Sequence, residues 1–79
     1  MINENENDII LLHQKIGVNV KKIRDQKGFS QHELALAIGH KSSTIISQAE
    51  LGKNKHFNIE QLYKISIILN CKICDFLEE

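Results

Sequence analysis

Two groups of residues in this 79-residue chain have types and spacings that could do chemistry. The first is Cys71 and Cys74, a C-x-x-C pair. A structural zinc site takes four ligands, and these are the only two cysteines. A thioredoxin-like redox pair needs a βαβ neighbourhood, and no strand pattern is present. The reading is structural thiols, since Cys is among the most buried residue types. The histidines His13, His32, His40 and His56 share no metal-ligand spacing. No nucleophile–base pair, paired carboxylates or glycine-rich phosphate loop occurs. The expectation is no enzyme, no metal, no cofactor and no small-molecule ligand. The second group lies in "SSTIISQ", residues 42–48. Ser43, Thr44, Ser47 and Gln48 are short, polar and uncharged, on one side of a helical repeat. Gln suits adenine N6/N7, and Ser and Thr suit several bases or a thymine methyl. A merely solvated polar face would look the same in isolation.

The elements that must position this face are helical. The chain has no proline to interrupt a helix ladder. Ile9, Leu12, Ile16, Val20 and Ile23 recur at helical spacing. A first helix is expected to start after Asp8 as N-cap and to end at Gly28, with residues 1–7 frayed. Ser30 and Glu33 form a capping box for a short second helix, whose apolar face is Leu34, Ala37 and Ile38 and which stops at Gly39. "HKS" is a turn, and Ser42 caps a third helix that puts Ile46 and Ala49 inward and closes at Gly52. "KNKHF" connects to a second capping box, Asn58 with Gln61. The fourth helix then buries Ile59, Leu62, Ile65, Ile68 and Leu69, and Asn70 ends it in the left-handed conformation. A last short helix holds Ile73, Phe76 and Leu77. The expected fold is all-α: a compact five-helix domain over residues 8–79.

Hydrophobic residues at 42% and charged residues at 25% are ordinary globular usage. No apolar run approaches the ~20 residues that span a bilayer. The start, acidic before apolar, is the reverse of a secretory signal, so a cytoplasmic location is expected. Formal net charge is zero, but the charge is unevenly placed. Glu4, Glu6 and Asp8 make the first segment acidic. Lys15, Lys21, Lys22, Arg24, Lys27, Lys41, Lys53 and Lys55 outnumber Asp25, Glu33 and Glu50 in the middle. Glu60, Asp75, Glu78 and Glu79 outnumber Lys64 and Lys72 at the end. A basic centre between acidic ends points to a polyanion-facing surface.

Two short helices joined by a tight glycine-containing turn are the core of a helix-turn-helix, whose second helix enters the major groove of DNA. At Gln31 the first turn of the second helix presents outward N–H groups and a positive dipole end, which suit a phosphate. The segment "IGVNVKKIRDQKGFSQHELALAIG…STIISQAELGK" resembles the Cro and phage-repressor helix-turn-helix family. Ile16-Gly17, Lys22-Ile23-Arg24, Lys27-Gly28, Ser30-Gln31, Glu33-Leu34-Ala35, Gly39, Ile46-Ser47, Glu50 and Gly52-Lys53 carry the likeness. It extends from residue 16 to about residue 77.

The resemblance implies a lambda-repressor-like DNA-binding fold and a bacterial or phage transcription regulator. It implies Gln31 on phosphate, Ser42, Ser43, Thr44, Ser47 and Gln48 toward the major groove, and Lys53, Asn54 and Lys55 on the backbone beyond. It implies a partly buried salt bridge between Arg24 and Glu50; the alternative is Arg24 on phosphate. Here Gly39 and Gly52 stand one residue further apart than in the shortest members, and the extra residue is placed in "HKSS". Leu51 is apolar where the family is often polar, which makes it a dimer or packing contact. The implied partner is double-stranded DNA, bound by a homodimer through its C-terminal helices or through Ile9–Leu12. An antitoxin with a toxin partner and a protein-interaction adaptor without DNA binding share the fold.

Overall fold

The strongest local signals in the chain are its two capping boxes, and both form. In the structure, a computed structural model describing residues 2–52 and 55–78 with side chains from residue 6 onward, the Ser30 hydroxyl accepts from Glu33 N–H at 3.0 Å. The Glu33 carboxylate in turn accepts from Ser30 N–H at 2.8 Å. Asn58 and Gln61 repeat the exchange at 2.7 and 3.0 Å. These boxes open α2 (Gln31–Ala37) and α4 (Ile59–Leu69). Before and between them lie α1 (Ile2–Gln26) and α3 (Thr44–Leu51).

Three expectations are corrected. The first helix begins at Ile2, not after Asp8, so Asp8 is an interior residue and not an N-cap. Nothing between Ile2 and Asp8 breaks a helix, and acidic residues near its start suit the dipole. The last segment, Ile73–Leu77, is a 3₁₀ turn and not a fifth α-helix. With so few residues it closes on an i→i+3 bond, Asp75 N–H to Lys72 O at 3.0 Å. Ile59 opens α4 at its exposed edge instead of in its buried stripe. Among the described residues the architecture is four α-helices and one 3₁₀ turn.

The core is assembled from all five elements: Val20, Leu34, Ile46, Ile65, Leu69 and Phe76 are almost completely buried. Helix α1 packs on α3 and on the 3₁₀ turn, and α2 packs on α3 and α4. The amide of Asn19 donates to the carbonyls of Phe76 and Glu78 at 2.8 and 2.7 Å, tying the chain's end to the middle of α1. Two glycines set how closely α3 approaches α1. A Cβ on Gly17 would lie 2.8 Å from the carbonyl oxygen of Ala49, and one on Gly52 would lie 2.8 Å from the Cα of Gln14. Gly52 also ends α3 in the left-handed region, at φ 68°. Gly17→Ala should therefore push α3 off α1 and cost ~1–3 kcal/mol by overpacking. The urea midpoint measures this, and an unchanged midpoint would show that the helices do not meet at Gly17.

Candidate nucleic-acid interface

Glu50 is the one acidic residue of α3, and it points inward. The Arg24 guanidinium holds it through two bonds, Nε to Oε2 at 2.7 Å and Nη2 to Oε1 at 3.2 Å. Both side chains are about 95% buried, at 6% and 4% exposure. Arg24 also donates from Nη1 to the carbonyl of Phe29 at 2.8 Å and reaches Asp25 Oδ1 at 3.1 Å. The hydrogen bond to Glu50 is the main cause raising the Arg24 pKa, so the guanidinium stays charged. Gln31, the first residue of α2, donates from Nε2 to Glu50 Oε1 at 2.9 Å. A single carboxylate thus links α1, α2 and α3. Its charge is used inside the domain and is withdrawn from the outer face.

That outer face is left to small groups. Thr44 and Gln48 are exposed, and Ser43 and Ser47 are half-buried beside them. Ser42 is exposed in the connection from α2. Regular bonding in α3 begins at Thr44, yet Ser43 already has helical angles (φ −71°, ψ −8°), and the Ser42 hydroxyl accepts from Thr44 N–H at 3.2 Å. The N-cap of α3 is therefore Ser43 and not Ser42 as expected: the Ser43 carbonyl accepts from Ile46 and Ser47, and Ser42 supplies only a local turn bond ahead of it. The Ser42 oxygen also lies 2.9 Å from Thr44 Oγ1, and Ser47 donates to the Thr44 carbonyl at 3.1 Å. The hydroxyls are thus oriented by their own backbone, while each keeps further hydrogen-bonding capacity.

Two further residues belong to this face: Leu51, expected as a dimer or packing contact, and Lys41, which went unassigned in the sequence. Leu51, 66% exposed, continues the line of Thr44 and Gln48 at helical spacing. Lys41, exposed beside Ser42, adds a base at the α3 N-terminal end; its charge and position were the available signal. Lys55 is exposed beyond α3. Lys53 and Asn54 lie outside the described residues.

Beside Lys55, the His56 ring stacks on His13 of α1, with centroids 3.8 Å apart and planes 11° apart. His13 Nδ1 is buried without a hydrogen-bond partner. Burial first, and the His56 charge second, push the His13 imidazole below its ordinary value of 6.5. The unfolded chain takes up that proton before the folded one does, so acid favours unfolding through this group. Stability from this source is intact above the ordinary histidine range and is lost as pH falls from about 7 toward 5. A His13→Phe variant should show a flatter fall in thermal midpoint over that range than the unmodified protein; equal slopes would mean the stacked pair contributes nothing.

The two C-x-x-C residues differ in exposure. Cys71 is half-buried against the core and Cys74 is exposed, both as free thiols. Burial, with Asp75 second, raises the Cys71 pKa. Among the described residues no cluster of metal-ligand type occurs, and no helix is long and apolar enough to cross a membrane.

No curated protein matches the chain. A family model described as helix-turn-helix matches residues 20–76, from Val20 in the last third of α1 to Phe76 in the 3₁₀ turn. The family is one of DNA-binding regulatory domains and not of enzymes. Its match covers α2, the turn, α3 and both partners of the buried pair, and the chain belongs to the Cro/C1-type helix-turn-helix family.

Proposed function

We propose that the protein is a repressor- or controller-type transcription regulator that binds a near-palindromic operator as a homodimer. The observation that carries this reading is the inward Glu50. With its carboxylate bound to Arg24 and Gln31, α3 and its N-cap offer the duplex Ser43, Thr44, Ser47 and Gln48, groups that fit base edges and repel no phosphate, with apolar Leu51 beyond them. Gln31 at the start of α2, Lys41 and Ser42 ahead of α3, and Lys53, Asn54 and Lys55 after it in the sequence are the backbone contacts of this reading. Their role is to hold the backbone while α3 reads the bases. The homodimer face is the outer side of α4. Ile59, Tyr63 and Ile67 are each more than half exposed along it. Tyr63 and Ile67 line an open groove of about 530 Å³ with Ile38 and Ile68.

Selection of bound sites from random duplexes tests the reading. The expected product is a two-fold-symmetric site with half-sites about one helical turn, ~34 Å, apart. Failure to enrich any sequence would overturn it. The flanking lysines have their own measurement. Each phosphate contact contributes a slope of about −0.9 to log K against log salt. Lys53→Ala with Lys55→Ala should flatten the slope by roughly two such contacts, and an unchanged slope would remove both from the phosphate backbone.

A further inference from the structure

We propose that the N-terminal half of α1 is a second self-association surface, on which two copies of the chain pack their α1 helices antiparallel. Helix α1 has 25 residues, about 37 Å at 1.5 Å per residue, which is nearly the longest dimension of the domain, 40 Å. Its body-facing contacts begin at His13, stacked on His56, and at Gln14, against Gly52. Residues 6–12 are exposed throughout.

Four of these are consecutive apolar residues: Ile9, Ile10, Leu11 and Leu12, 42–61% exposed. Successive helical residues point about 100° apart, so these four cover the whole circumference. A helix that is apolar all round is a buried helix, and none of the described residues buries this one. The apolar surface continues on the outer side of α1 through Val18, also 61% exposed. Between them runs an open groove of about 420 Å³ lined by Leu11, Gln14, Lys15, Val18, Asn19 and Glu78.

The charges on the same helix select the occupant. Glu6 and Asp8 precede the apolar ring, and Lys15, Lys21 and Lys22 follow it. A parallel pair would set acid beside acid. An antiparallel pair lays the acidic start of each helix along the basic stretch of the other, and it also opposes the two helix dipoles. In the two-fold register that puts Leu11 against Val18 of the second copy, Asp8 stands opposite Lys21 and Asn7 opposite Lys22. In that register Ile10 and Leu11 of each copy lie against Asn19 and Val18, at one end of the groove of the other. This face is separate from the α4 face proposed for the operator-bound dimer.

The test is sedimentation equilibrium of the full chain without DNA, with circular dichroism to confirm unchanged helix content. The unmodified protein should self-associate. Leu11→Glu and Val18→Glu, each at an exposed position, should weaken the association by ~10-fold or more, because each places a charge in an apolar contact. At low salt, Asp8→Lys should weaken it and Lys21→Glu in the same chain should restore it. Ile67→Glu separates the two faces: it should abolish two-fold operator binding while leaving the α1 association in place. A monomeric unmodified protein would overturn the proposal and assign the ring to a different protein. So would Leu11→Glu and Val18→Glu variants that associate normally, an Asp8→Lys defect unrelieved by Lys21→Glu, or an Ile67→Glu variant that is monomeric.

Discussion

Replacing Glu50 with alanine is expected to cost ~3–5 kcal/mol of folding stability. The effect is large because of what remains. The Arg24 guanidinium stays about 95% buried with its bidentate partner gone, and Gln31 loses its acceptor. The contacts to the Phe29 carbonyl and to exposed Asp25 offset only part of this. A domain of this size holds at most a stability near the low end of ~5–15 kcal/mol, so the variant should be substantially unfolded at moderate temperature. Glu50→Gln, which keeps a carbonyl acceptor for Arg24, should cost less. Replacing Arg24 and Glu50 together by apolar residues of similar volume should cost little or stabilise, because no charge is left buried. Urea titrations of the single and double variants measure the coupling directly. If Glu50→Ala unfolds at the same midpoint as the unmodified protein, the pair is not buried in solution.

The second large effect is on recognition and leaves folding almost untouched. Thr44→Ala and Gln48→Ala change exposed positions of α3, and alanine is the best helix former. Thr44 gives up only its hydroxyl contact with Ser42. Each well-made base contact is worth ~1–3 kcal/mol of discrimination. Removing both should therefore reduce preference for the selected operator over a scrambled duplex by ~10-fold or more per contact. Weak, salt-dependent affinity for any duplex should survive, since it comes from the lysines. Competition binding at fixed salt reads the ratio. A doubly substituted protein that still prefers its operator would move the reading face elsewhere.

The parts of this fold legible in the sequence are those whose cause lies within a few residues. Ser30 with Glu33, and Asn58 with Gln61, bond across a single turn. Gly28 and Asn70 adopt left-handed angles just past helix ends, at φ 81° and 56°. The alternation around Leu34, Ile46, Leu62 and Ile65 marks core faces by period alone. Where reading by period failed, the missing term was a neighbour. Ile9, Leu12 and Ile59 have the right spacing for a core face, but no element reaches far enough to cover them, and all three are exposed. The early start of α1 was hidden because Asp8 is a good N-cap residue in its own right and drew the start to itself.

The site divides in the same way. Residue type alone made "SSTIISQ" a face without charge and placed the surrounding lysines. The pairing of Arg24 with Glu50 was expected from the resemblance alone, since a spacing of 26 residues says nothing about a distance of 2.7 Å. The same holds for the stacking of His13 on His56 and for the bonds from Asn19 to Phe76 and Glu78. What the sequence by itself determined is the set of helices, their caps and the chemistry of each face, because those rest on local hydrogen bonds and helical period. Only the tertiary structure decided that Gln31 is tied to Glu50 and that the ring at Ile9–Leu12 stands clear of the body. Those depend on how closely α3 approaches α1 at Gly17 and Gly52, a packing distance that no local preference encodes.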